Sequence, residues 1–280
     1  MRRASGIAWL LCCSALAAGP AGAPPSLDDA LSQLYSFDFP TAQATLDRLI
    51  QAHPQDPLPY GFRASAYLFY ELDRLGVLEG EFFTNDDWAY DKKKKTPDPA
   101  VRARLLQALQ DTQAKGEAAV KTNPADKNAL FALCVGQGVT ADYMALVDKR
   151  QFGSLTPTKR GNSYAQQLLR LDPNYADAYV TAGFSEYVLG SLPFFVRWFV
   201  HWDGVSGSKE VGKQHLETAA RDGHYLKPFA KILLAIAAVR EKRTADAQKL
   251  MAELSRDYPS NPLFRKELAK LNTRLGVAAN

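Results

Sequence analysis

Four short stretches constrain this chain more than any other feature: HPQDP, TNPAD, LDPNY and DYPSNP, built around Pro54, Pro124, Pro173 and Pro259. Each closes one amphipathic run and opens another. Proline lacks an N–H and its ring clashes with the preceding turn, so a proline just past the last apolar position stops a helix cleanly. The four stretches therefore read as helix-to-helix junctions. A fifth, without proline, falls at AARDGHYLKP, where Gly223 ends one helix and Tyr225 opens the next. No run of alternating β-branched residues competes with this pattern, so the chain reads as all-α.

The residues around the junctions repeat as well. LDPNYADAYVTAGFSEYVLG places Tyr179 after Pro173 and then the small pair Ala182 and Gly183; HPQDPLPYGFRASAY repeats this with Pro54, Tyr60, Ala64 and Tyr67. Leu234, Ala235, Ala247, Leu254 and Pro259 supply a third unit, and Ala30, Phe39, Ala42 and Pro54 a fourth. Small residues let two helices approach closely, and a large aromatic fills the space beside them.

In these motifs residues 26 to 275 resemble tetratricopeptide repeat proteins, whose unit is a helix hairpin of about 34 residues. The junctions at 54, 124, 173, about 223 and 259 are unevenly spaced, and only the last interval approaches that period. The surplus falls in insertions near 79–99, 150–159 and 190–207. The expected fold is thus an irregular α-solenoid of antiparallel helix hairpins over residues 24–280. The resemblance implies a non-catalytic scaffold that binds a protein or peptide partner on the concave face of its first helices. In the best-matching unit the groove positions would be Asp177, Val180, Phe184 and Tyr187.

Residues 1–23 carry Arg2 and Arg3, an apolar run from Ile7 to Ala18 and small residues after it, the pattern of a secretory signal peptide. Ala17 or Ala21 is the expected cleavage position. The apolar run is too short to span a bilayer, which takes about 20 residues. Leu11 before Cys12 argues against a lipid-modified cysteine. The expected location is periplasmic or secreted, and with both early cysteines removed only Cys134 remains, among apolar neighbours that make it a buried small side chain.

Chemistry-bearing motifs are weak. Gly207 to Gln214, GSKEVGKQ, has the frame of a phosphate-binding loop, but Gln214 stands where the magnesium-binding hydroxyl belongs and no strand precedes it. The expected structure there is a turn, a Ser208 cap and a helix running to about Ala220. His53, His201, His215 and His224 show no metal-ligand spacing, and no nucleophile motif is present. Neither a metal nor a cofactor is expected. A formal charge of +4, from 34 basic and 30 acidic residues, is too small a bias to imply nucleic acid.

One segment suggests an alternative role. From Pro193 to Trp202 the chain is aromatic almost all round, with Phe195, Trp198, Phe199 and Trp202 as the strongest membrane-seeking residues. Such a helix packs inside the array or lies in a bilayer interface. The alternative function is therefore a peripheral membrane assembly factor, and the less favoured one an enzyme whose site lies in an insertion.

Overall fold

The computed structural model describes residues 24–78, 95–191 and 206–276. The signal-peptide stretch, most of the insertions near 79–99 and 190–207, and Phe195, Trp198, Phe199 and Trp202 lie outside the described residues. All regular structure among the described residues is helical. The helices are α1 (Leu27–Tyr35), α2 (Phe39–Ala52), α3 (Pro57–Leu75), α4 (Pro99–Thr122), α5 (Lys127–Asp142), α6 (Gln151–Leu171), α7 (Ala178–Ser191), α8 (Lys209–Asp222), α9 (Lys227–Arg240), α10 (Thr244–Asp257) and α11 (Pro262–Leu275). A single π turn, Tyr143–Val147, continues α5.

The junctions behave as proline chemistry requires. Helices α2, α4, α6 and α10 end at Ala52, Thr122, Leu171 and Asp257, each two residues ahead of Pro54, Pro124, Pro173 and Pro259. One turn recurs at all four, closed by backbone bonds from Asp56 to His53, Asp126 to Asn123, Tyr175 to Asp172 and Asn261 to Tyr258. Asp56, Asp126 and Asn261 then cap the following helix with their side chains, satisfying amide groups that have no partner inside the helix. The aromatic of two units also plays the same part, because the Tyr60 and Tyr179 hydroxyls each donate to the carbonyl of the junction proline six residues earlier, at 3.1 Å. Of the stretch at 150–159, all but the N-cap Arg150 is helical, forming the first part of α6 with Pro157 inside it.

Each helix packs on its neighbours in sequence, and across these pairs α1 also meets α3, α3 meets α5, α5 meets α7 and α7 meets α9. Helices joined by short connections run antiparallel, and α1, α3, α5, α7 and α9 pack on one another in succession. At the centre of this series, Lys127–Val147 is long and apolar enough to cross a membrane by length and composition, yet 67% of its most apolar window is buried inside the protein. Leu130, Phe131, Ala132, Leu133 and Cys134 are all at most 1% exposed, the environment of a core helix with other helices on most sides.

The two ends of the array meet. His224, in the turn before α9, pairs with Asp28 of α1 at 2.9 Å. The Tyr35 hydroxyl donates to the Tyr225 carbonyl at 3.1 Å, and the Asn261 amide donates to the Tyr35 carbonyl at 2.8 Å. Tyr35 and Tyr258 place their rings 5.5 Å apart, and Phe69 of α3 meets Phe229 of α9 edge-on at 6.0 Å. Asn261 is 0% exposed and also caps α11 through the amides of Leu263 and Phe264. Asn261→Ala is expected to cost about 2–4 kcal/mol in urea unfolding, since it removes a cap and leaves a buried carbonyl unpaired. A loss confined to a few tenths of a kcal/mol would mean that the ends are not held together there.

Candidate functional site: an apolar cavity inside the coil

Where the first and last helices meet, a cavity of about 640 Å³ is left, lined mainly by the odd-numbered helices with Thr158 and Gly161 of α6 and Met251 of α10. Leu34, Leu72, Phe184, Phe229, Ile236 and Leu271 are among the side chains that the odd helices place on its wall. The room comes from small residues on α5 and the π turn. Gly138, Ala141, Asp142, Ala145 and Leu146 follow one another at helical spacing and all line the cavity. A Cβ built on Gly138 would meet nothing within 4 Å, which marks open space at that point on the wall.

Asp142 is the one carboxylate that α5 contributes to this wall. No described residue makes an ion pair or hydrogen bond with its side chain. The group keeps some access to the cavity while protein encloses it, and this desolvation pushes its carboxyl from 3.8 up to about 7. The folded state therefore binds a proton that the unfolded chain has already lost between about pH 4 and pH 7. The associated stability is complete below the unfolded range and is lost as pH rises toward 7. Asp142→Asn is accordingly expected to raise the urea midpoint at about pH 8 and to leave it unchanged near pH 3.

The other polar groups on the wall are mostly occupied. Thr158 donates back to Ser154 at 2.7 Å, and Thr181 accepts from the Cys134 thiol at 3.0 Å. Glu267 and Lys270 pair with each other at 2.7 Å. Ser185, 0% exposed, has no hydrogen-bond partner for its hydroxyl among the described residues. Arg240 and Arg274 sit at the ends of α9 and α11, exposed to solvent at the rim.

Of the four groove positions expected from sequence, Val180, Phe184 and Tyr187 line this cavity. Asp177 is elsewhere and serves the structure instead. Buried, it accepts the backbone amides of His224, Tyr225 and Leu226 at 2.8–3.2 Å and so fixes the turn before α9. Buried Glu186 does the same at the next junction, accepting from the Ser206 amide and hydroxyl and from the Ser208 amide at 2.8–3.0 Å. Glu71 repeats the device a third time, holding Arg74 and the Asp98 amide that precedes α4, each at 2.8 Å. These carboxylates are spent on backbone amides and a guanidinium, the strong charge-assisted bonds that hold successive hairpins in register.

His215 packs its ring 5.0 Å from Tyr179, and burial holds its imidazole below the ordinary value. The phosphate-loop resemblance dissolves into packing: Ser208 caps α8, which runs to Asp222, and Gly212 lies against the backbone of α7. Cys134 is buried, and burial pushes its thiol up to about 11. Thiol reagents are expected to label it only on unfolding, because the thiolate is scarce and enclosed. The cavity itself was not visible in the sequence; the only trace was Gly138, Ala141 and Ala145, small residues at helical spacing in an otherwise apolar helix. Among the described residues no cluster of His, Cys, Asp and Glu is arranged to hold a metal ion. No protein-family model, curated protein or solved structure matches this chain.

Proposed function

We propose that this chain is an exported, non-catalytic helical-repeat protein of the tetratricopeptide type, an irregular α-solenoid that works by binding another molecule inside its coil. The observation that carries this reading is the cavity of about 640 Å³ walled mainly by the odd-numbered helices. Its size falls within the roughly 300–1,000 Å³ of small-molecule sites, and its wall combines many apolar side chains with few polar ones. The ligand is therefore a small molecule with an apolar body. A protein or peptide partner is the expectation drawn from the repeat resemblance, and its binding to the same wall would compete with such a ligand.

Titration of the mature protein with the neutral apolar fluorophore N-phenyl-1-naphthylamine tests this. Saturable binding of one equivalent is expected, and Gly138→Phe should abolish it while leaving the protein folded, because the new ring enters open space. Absence of saturable binding, or binding that Gly138→Phe leaves unchanged, would exclude the interior as the site.

A further inference from the structure

Within the proposed binding role, and resting on it, we infer that the cavity selects an amphiphile with a protonated amine, seating its ammonium group on Asp142. Three observations converge on that class of ligand. Asp142 lines an apolar wall next to Gly138, Ala141 and Ala145, so a group of some size can reach it. No described side chain pairs with it, so whatever neutralises the carboxylate must come from outside the described protein. The remaining lining charges are matched or wet: Glu267 is closed on Lys270 at 2.7 Å, and Arg240 and Arg274 are exposed at the rim.

Charge complementarity decides between ligand classes because the dielectric differs between the two places. An exposed rim arginine is screened by water and salt, so it contributes little to holding an anion. A carboxylate enclosed by apolar wall interacts far more strongly with a partner charge, and a carboxylate brought beside it would be repelled. An alcohol of the same length could donate one hydrogen bond but leaves the charge uncompensated. An ammonium donates charge-assisted hydrogen bonds and neutralises the carboxylate in the same step. Ligand binding and proton release are then coupled: the empty site holds a proton on Asp142 near neutral pH, and an arriving ammonium displaces it. The groups that face the same space and bear on this linkage are Tyr35, Tyr187, Arg240, Glu267, Lys270 and Arg274.

The test is displacement of N-phenyl-1-naphthylamine from the mature protein by dodecylamine, dodecanol and dodecanoate, each below its micelle concentration. Dodecylamine is expected to compete about tenfold better than dodecanol at about pH 8, with dodecanoate weakest. Asp142→Asn should keep binding the fluorophore and lose the preference for the amine. Calorimetry in buffers of different ionisation enthalpy should show proton release on amine binding near pH 6.5 by the wild type and none by Asp142→Asn. Equal competition by amine and alcohol, or a preference for dodecanoate, with fluorophore binding intact would overturn the ammonium assignment while leaving the interior site standing. Failure of the fluorophore and all three amphiphiles to bind would remove the interior site and this assignment together.

Discussion

Replacing Phe131 by alanine is expected to lower the unfolding free energy by about 3–5 kcal/mol, the range for deleting a buried aromatic. Phe131 is 0% exposed near the start of α5, with Phe62, Tyr175 and Tyr225 around it at ring distances of 6.2, 5.3 and 5.9 Å. Those partners come from α3, from the turn before α7 and from the turn before α9. One ring thus links three places that are remote in sequence, and the turn carrying Tyr225 is the one that meets α1. Its removal opens a void and loosens coil closure in one step, so binding of the apolar fluorophore should weaken along with stability. Phe152, 88% exposed at the start of α6, is the control. Phe152→Ala should change stability by no more than about 0.5 kcal/mol. Equal losses for the two variants in denaturant titrations would refute the assigned role of Phe131.

Gly212→Ala is expected to destabilise by about 2–3 kcal/mol, against the direction that helix propensity dictates. Alanine in place of a helical glycine ordinarily gains about 1 kcal/mol. Here a Cβ on Gly212 would lie 2.7 Å from both the Gly183 carbonyl oxygen and the Tyr187 backbone nitrogen. Both obstacles are backbone, so no rotamer can relieve them, and α7 and α8 must separate. Gly183 is the reciprocal case, since its Cβ would meet the Gly212 carbonyl at 2.7 Å. Gly138→Ala is the matched comparison in the same fold: it meets nothing within 4 Å and should stabilise by about 0.5–1 kcal/mol. Opposite signs for two glycine-to-alanine changes, read from urea midpoints, would separate close helix packing from open cavity wall. A gain for Gly212→Ala would show that α7 and α8 are not held at contact distance.

These variants also show which parts of the structure were legible in the residues. The junctions were, because a proline that lacks an N–H acts on its own neighbours: helices stop within two residues of Pro54, Pro124, Pro173 and Pro259. So was the recurrence of Tyr60 and Tyr179, whose hydroxyls return to a carbonyl six residues back. Gly183 was readable as a close-packing residue but its partner was not, because Gly212 lies in a segment whose glycine spacing imitates a phosphate loop. Asp177 shows the limit of transferring a groove by alignment. Its position in the repeat suggested a surface contact, whereas its carboxylate is buried under three backbone amides from 47 to 49 residues further on.

By itself the sequence determined the helical character of the described residues and the four proline junctions, because helix propensity, capping and proline act over a few residues; at the fifth junction, without proline, α9 starts at Lys227 and not at the expected Tyr225. Only the tertiary structure decided that the array closes on itself. That closure depends on Asp28 with His224, Tyr35 with Tyr225, and Asn261 with Tyr35, contacts between residues 190 or more apart. No local periodicity encodes them, since they follow from the summed crossing angles of the described helices, to which each small residue at each contact contributes a little. The same closure sets Val180, Phe184 and Tyr187 on the wall of one cavity, and places Asp142 where the tests of ligand class begin.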